Sequence, residues 1–221
     1  MSITEVARVH TTNPVDLDNS STEGYKTVQA LIKAVGNAPG AGRMWYGRPQ
    51  EIETQIVFFV IWESLEAHGK FAQSDAFAEV ETLLAKLSDK PGIVKHFDFG
   101  TEESLSKVLS APLTEILDLY LKTNDEKYNE GVGKVADALN KQAKGCHGSL
   151  RAWAVEGAEH DNLPAETEHK GGLLRCLTGW DSKEAQTAAA ELADFKDHIA
   201  LVTEGPSAIE PMHVAFREVG A

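Results

Sequence analysis

Trp62-Glu63-Ser64-Leu65-Glu66-Ala67 recurs as Trp180-Asp181-Ser182-Lys183-Glu184-Ala185. Each stretch closes an apolar run of strand length, Gln55 to Trp62 and Leu173 to Trp180, and opens a helical pattern. Further matches flank it in the same order. Ile3-Thr4-Glu5-Val6 answers Leu113-Thr114-Glu115-Ile116, Arg43-Met44-Trp45 answers Arg151-Ala152-Trp153, and His96-Phe97-Asp98-Phe99 answers His213-Val214-Ala215-Phe216. Phe77 and Phe195 each follow their tryptophan by fifteen residues. Matches in one consistent order predict a tandem repeat.

Each half reads as β-α-β-β-α-β. In the first, Ile3 to Thr12 alternates as a strand, and Ser20, Ser21 and Thr22 can cap a helix carrying Tyr25, Val28, Leu31, Ile32 and Val35. Strands follow at Arg43 to Gly47 and Gln55 to Trp62. A helical stretch from Ser64 to Leu87 breaks near Ser74-Asp75, and a last strand runs from Ile93 to Phe99. The second half repeats this order. It has strands at Leu113 to Lys122, Ser149 to Val155, Leu173 to Trp180 and Met212 to Val219. Helices carry Tyr128, Val132, Val135 and Leu139, and then Ser182 to Val202. The expected domains are 1–100 and 112–221, with 101–111 as linker. A four-stranded sheet with helices on one face leaves its other face in need of cover. The fold expected is therefore α+β, two ferredoxin-like units fused in tandem with their sheets packed on each other. Such a chain is a monomeric pseudo-dimer, open to further self-association.

A net charge of −13 with no basic stripe repels phosphate backbones and anionic lipid, so nucleic-acid and membrane partners are not expected. The 221 residues hold no apolar run of bilayer length and begin with no secretory pattern, and the two cysteines suggest no disulfide framework. A cytoplasmic location and a small-molecule substrate are the expectation.

A strand followed by W-x-S-x-E-A, and then a helix with Phe near its middle, resembles the antibiotic-biosynthesis-monooxygenase domain of the dimeric α+β barrel proteins. Met44-Trp45-Tyr46-Gly47-Arg48 is similar to strand 2 of fungal members. The resemblance spans nearly the whole chain, about one domain per half. It implies chemistry without a cofactor on an apolar, oxygenated substrate such as a polyketide. The outcome is cyclisation or isomerisation, oxygenation by a cofactor-free monooxygenase, or binding without chemistry in a stress protein. Plant stress-type cyclases place a catalytic His where this chain has Phe77 and Phe195. Haem-degrading members use an Asn on strand 1, where this chain offers His10 or Tyr120.

Polar residues present in one half only are the better candidates for a single site. His10 stands against Tyr120 at the end of strand 1, and an imidazole there can act as a general base. Tyr46 stands against Ala154 and offers a phenol. His96 and His213 match each other, and Asp98, against Ala215, shares a face with His96 and could orient it. His10, Tyr46, His96 and Asp98 make the first half the expected chemical site. Trp45 and Trp153 can form an aromatic wall beside Arg43 and Arg151. Phe58, Tyr120, Arg175 and His213 complete the expected substrate contacts. Arg175 is a lone cation in an apolar strand, needing a carboxylate, a ligand or solvent. In the same strand Cys176 and Thr178 replace Phe58 and Val60, which predicts extra space in the second half. His68, replacing Gln186, reads as an exposed helix residue. No metal site is expected, because neither Cys146-His147 nor the pair His160 and His169 has a ligand spacing.

Overall fold

The repeated hexapeptide places a Trp at a strand end and a Ser one residue before a helix, and both residues do structural work. In a computed structural model describing residues 2–163 and 171–219, β3 (Gln55–Trp62) ends on Trp62 and α2 (Leu65–Ala72) starts after Ser64. Ser64 Oγ accepts from the Ala67 N–H at 3.1 Å. Ser182 does the same for Ala185 at 3.3 Å. Such caps satisfy amide donors that a helix start otherwise leaves unbonded. The final Ala of each motif lies against a left-handed glycine, Gly40 (φ 85°) or Gly145 (φ 78°), where a Cβ would crowd the Ala methyl.

The chain forms two compact units. The first holds β1 (Ile3–His10), α1 (Glu23–Gly36), β2 (Ala41–Gly47), β3, α2, α3 (Phe77–Leu87) and β4 (Ile93–Phe97). Its antiparallel sheet runs β4-β1-β3-β2 and gains a fifth strand described below. Val28, Leu31 and Ile32 recur along the buried stripe of α1 and pack with Phe58, Val60 and Trp62 of β3. All eight residues of β3 are buried, as expected of a continuous apolar run in the middle of a sheet.

The second unit holds α4 (Glu102–Leu109), β5 (Leu113–Leu121), α5 (Glu126–Gln142), β6 (Cys146–Trp153), β7 (Gly172–Trp180), α6 (Lys183–Ala189), α7 (Ala193–His198), α8 (Ala200–Thr203) and β8 (Ala208–Val214). Its sheet order, β6-β7-β5-β8, repeats that of the first unit. The registers repeat as well: Glu5 faces His96 as Glu115 faces His213, and Ile3 faces Trp62 as Leu113 faces Trp180.

Two segments differ from the sequence reading. Residues 101–111 hold α4, an amphipathic helix capped by Thr101 that buries Leu105, Val108 and Leu109 against β6 and β7. The stretch Met212 to Val219 is not one strand. The ladder of β8 ends at Val214, and β9 (Arg217–Val219) pairs with β2 at the edge of the first sheet. Glu218 of β9 accepts from Arg43 Nε at 2.7 Å, and Arg217 bonds the carbonyl of Leu17 and the carboxylate of Asp18. No helix among the described residues is long and apolar enough to cross a membrane.

Candidate functional site

Side-chain alternation along β1 decides what reaches the interior of the first unit. Glu5, Ala7 and Val9 point to the face covered by helices, whereas Val6, Arg8 and His10 point to the other. The helix-covered face encloses a cavity of about 290 Å³. Its walls are apolar, from Leu31, Ile32, Phe58, Val60, Phe71 and Phe77 among others, and two polar side chains enter it, Glu5 and His68.

Those two groups belong to a short chain of polar contacts. Trp62 Nε1–H donates to Glu5 Oε2 at 2.7 Å. His68 Nε2 lies 3.5 Å from the same oxygen. His68 Nδ1 and His96 Nε2 share a hydrogen bond of 2.7 Å. Local geometry explains the assembly. His96 faces Glu5 across the β1–β4 ladder, and His68 lies one helical turn before buried Phe71 on α2. The His68 ring also packs on Trp62, with centroids 4.8 Å apart. The His68 side chain is 14% exposed and Glu5 11%, so both operate largely out of water.

The second unit keeps this frame with one change. Trp180 Nε1 donates to Glu115 at 3.1 Å, but His213 Nε2 bonds Gln186 Oε1 at 2.9 Å, where the first unit has His68. An amide holds the partner histidine and cannot take up a proton. Its cavity is larger, about 400 Å³, and Glu115, Cys176, Thr178 and His213 line it. Burial pushes the Cys176 thiol up to about 12, so it is neutral at physiological pH.

Several expected site residues lie elsewhere. His10 faces away from the cavity and bonds Gln55 at 3.2 Å. Asp98 does not orient His96: the strand ends at Phe97, and Asp98 is exposed, accepting from the Gly100 N–H at 2.9 Å. His68, read as exposed, is the residue that bonds His96. Tyr46 is buried on the helix side, stacks on Phe58 and accepts from Gln29 Nε2 at 3.0 Å, outside the cavity lining. Trp45 is fully buried on the opposite face with Arg43 4.9 Å above its ring. Trp153 donates to Glu126 at 3.0 Å rather than lining a cavity. Tyr120 bonds Glu210 at 3.0 Å. Arg175 meets Asp118 through two bonds of 2.6 and 2.7 Å, both side chains buried. Burial pulls Arg175 down to about 10, which leaves it a cation at neutral pH. Phe58 lines the first cavity and His213 the second. His169 lies outside the described residues. Among those residues no group of three or more His, Cys, Asp or Glu side chains is arranged to hold a metal ion.

The strand registers also correct the pairing of Arg43-x-Trp45 with Arg151-x-Trp153. Tyr46 faces Phe58, and Arg151 faces Cys176, the residue equivalent to Phe58. Arg151 thus occupies the place of Tyr46, and Trp45 corresponds to Leu150. Irregularities between Ala41 and Met44, and between Cys146 and Gly148, set this register.

No family model and no curated protein matches the chain significantly. Solved structures do. An anthrone oxidase-like protein aligns over 100% of this chain and 94% of its own, with a TM-score of 0.64 and 13% identity. The likeness is one of fold. A candidate monooxygenase of Lactobacillus acidophilus aligns over 97% and 93%, with a TM-score of 0.60 and 8% identity. A candidate chlorite dismutase aligns over 96% and 94%, with 0.58 and 12%. Names this varied on one fold leave the reaction to be argued from the site.

The sequence reading passed over Glu5 and underrated His68. A signal for each existed. Glu5 interrupts the otherwise apolar alternation Ile3, Ala7, Val9, and His68 sits three residues before a Phe on the helix.

Proposed function

We propose that the first unit is a cofactor-independent enzyme acting on an apolar, oxygenated small molecule such as a polyketide, by proton abstraction at His68. One observation carries this reading: an apolar cavity of about 290 Å³ whose polar groups are Glu5 and His68. When His68 Nδ1–H donates to His96 Nε2, the His68 Nε2 keeps a lone pair at the cavity wall. Taking a proton from a carbon next to a carbonyl makes His68 an imidazolium 3.5 Å from the Glu5 carboxylate, which stabilises it. Trp62 holds that carboxylate in place. The apolar walls hold the substrate and exclude water, which strengthens the interaction of these charges. The resulting enolate can close a ring or isomerise, with the proton returned from His68.

The names of two proteins sharing the fold, an anthrone oxidase-like protein and a candidate monooxygenase, favour a second outcome in which the carbanion reacts with dioxygen. The balance is then one CH2 group and one O2 giving one ketone and one water, with the substrate as reductant. Anthrone in an oxygen electrode, followed by mass spectrometry, separates the outcomes. One O2 consumed per anthrone supports oxygenation. An isomer or cyclised product of unchanged elemental composition from a linear polyketide, with no O2 uptake, supports the first outcome. No turnover of either substrate above the uncatalysed rate would leave a binding protein.

A further inference from the structure

The two units differ at one cross-strand position. In the first, Gln29 on α1 bonds Tyr46 on β2, and Tyr46 stacks on Phe58, so side chains fill that end of the helix-covered face. Aligning the apolar stripe Val28, Leu31, Ile32, Val35 with Val132, Val135, Ala136, Leu139 puts Gly133 in the place of Gln29. The filled pair Gln29–Tyr46 becomes Gly133–Arg151, and Phe58 becomes Cys176. A Cβ on Gly133 would collide with the Arg151 guanidinium, so the glycine is what lets that group lie across α5.

Arg151 is held by one of its three nitrogens. Nε donates to the backbone oxygen of Asn129 at 3.0 Å and to its side-chain Oδ1 at 2.8 Å. The two terminal amino groups have no hydrogen-bond or ion-pair partner among the described residues, and the side chain lines the cavity of about 400 Å³. Lys183 and His213 line the same cavity, while its one carboxylate, Glu115, is held by Trp180 two positions further along the ladder. The rest of the wall includes Val132, Leu139 and Phe195.

From this geometry we infer that the second unit's cavity is a separate binding site for a small apolar molecule bearing a carboxylate, with Arg151 Nη1 and Nη2 as its two-pronged anchor. A guanidinium already oriented through Nε presents parallel donors that match a carboxylate. The neutral Cys176 thiol beside it offers no competing negative charge. Gln186, in the place of His68, leaves this cavity without the proton acceptor proposed for the first. The inference does not rest on the chemistry proposed for the first unit.

Calorimetry on the full chain tests it, with 2-naphthoate as probe and neutral 2-naphthamide as control. The expected result is binding of 2-naphthoate that weakens about tenfold or more in Arg151→Gln, the scale of a charge-assisted pair. The amide should bind equally to both proteins. Gly133→Ala, which drives the guanidinium out of place, should weaken the acid similarly, and His68→Gln should leave it unchanged. If Arg151→Gln does not fold, Gly133→Ala alone decides. No binding of 2-naphthoate at millimolar concentration, equal losses for acid and amide, or a loss in His68→Gln would each overturn the assignment.

Discussion

Replacing His68 by Gln copies into the first unit what the second already contains. Gln186 shows that an amide at this position can hold the strand histidine, with Oε1 2.9 Å from His213 Nε2. The variant should therefore keep its bond to His96 and lose the imidazole. The structural cost is small. One ring contact with Trp62 and one with His96 disappear, each with centroids 4.8 Å apart, and contacts of this kind contribute about 0.5–1.5 kcal/mol. A loss of stability of about 1–3 kcal/mol follows, read by urea denaturation. The catalytic cost is larger, because a positioned general base contributes roughly 10²–10⁴-fold, or about 3–5 kcal/mol of barrier. The assay is oxygen uptake or product formation with the substrate found to turn over, beside the denaturation curve of the same preparation. Turnover within about threefold of the parent, in a variant that remains folded under the assay conditions, would refute the role of His68 as base. A fall in activity that tracks unfolding would show a structural part instead.

Three further outcomes are expected. Arg175→Leu strands the buried Asp118 carboxylate and should cost about 3–5 kcal/mol, whereas the double variant Asp118→Leu, Arg175→Leu should recover most of that loss in thermal melts. Ser182→Ala removes the cap of α6 and should cost about 1 kcal/mol in urea denaturation without changing the first unit's activity. The Cys176 thiol is raised from its usual 9.0 to about 12 in the folded chain, so between these values the unfolded chain ionises first and stability falls as pH rises. At pH 10 the fall due to this group is at most about 1.4 kcal/mol, since the half-buried thiol borders a cavity that water can enter, and Cys176→Ala should flatten the pH dependence of Tm in this range.

Element order was legible because its signals are short-range. Ser64 and Ser182 cap within three residues, the stripe Val28, Leu31, Ile32 has its own period, and the apolar run from Gln55 to Trp62 reads as a covered strand. The repeat was legible for the same reason, through residues that do the same local work twice. Which face of a strand turns to the helices was not. Strand Ile3–His10 carries apolar residues on both faces, Val6 on one and Val9 on the other, so alternation alone could not say that His10 points away from the cavity. Nor could spacing place Arg151 opposite Cys176. A bulge between Cys146 and Gly148 shifts the register, and one residue of slip moves every side chain to the other face. The Glu5, His68 and His96 chain joins a strand, a helix and a second strand across more than ninety residues of sequence. Most elements and their caps could be read from local sequence, because their partners lie within a turn; α4 and the break between β8 and β9 could not. The pairing of strands and the closing of helices over one face decided which polar residues meet, because those contacts exist only after the sheet has chosen its register.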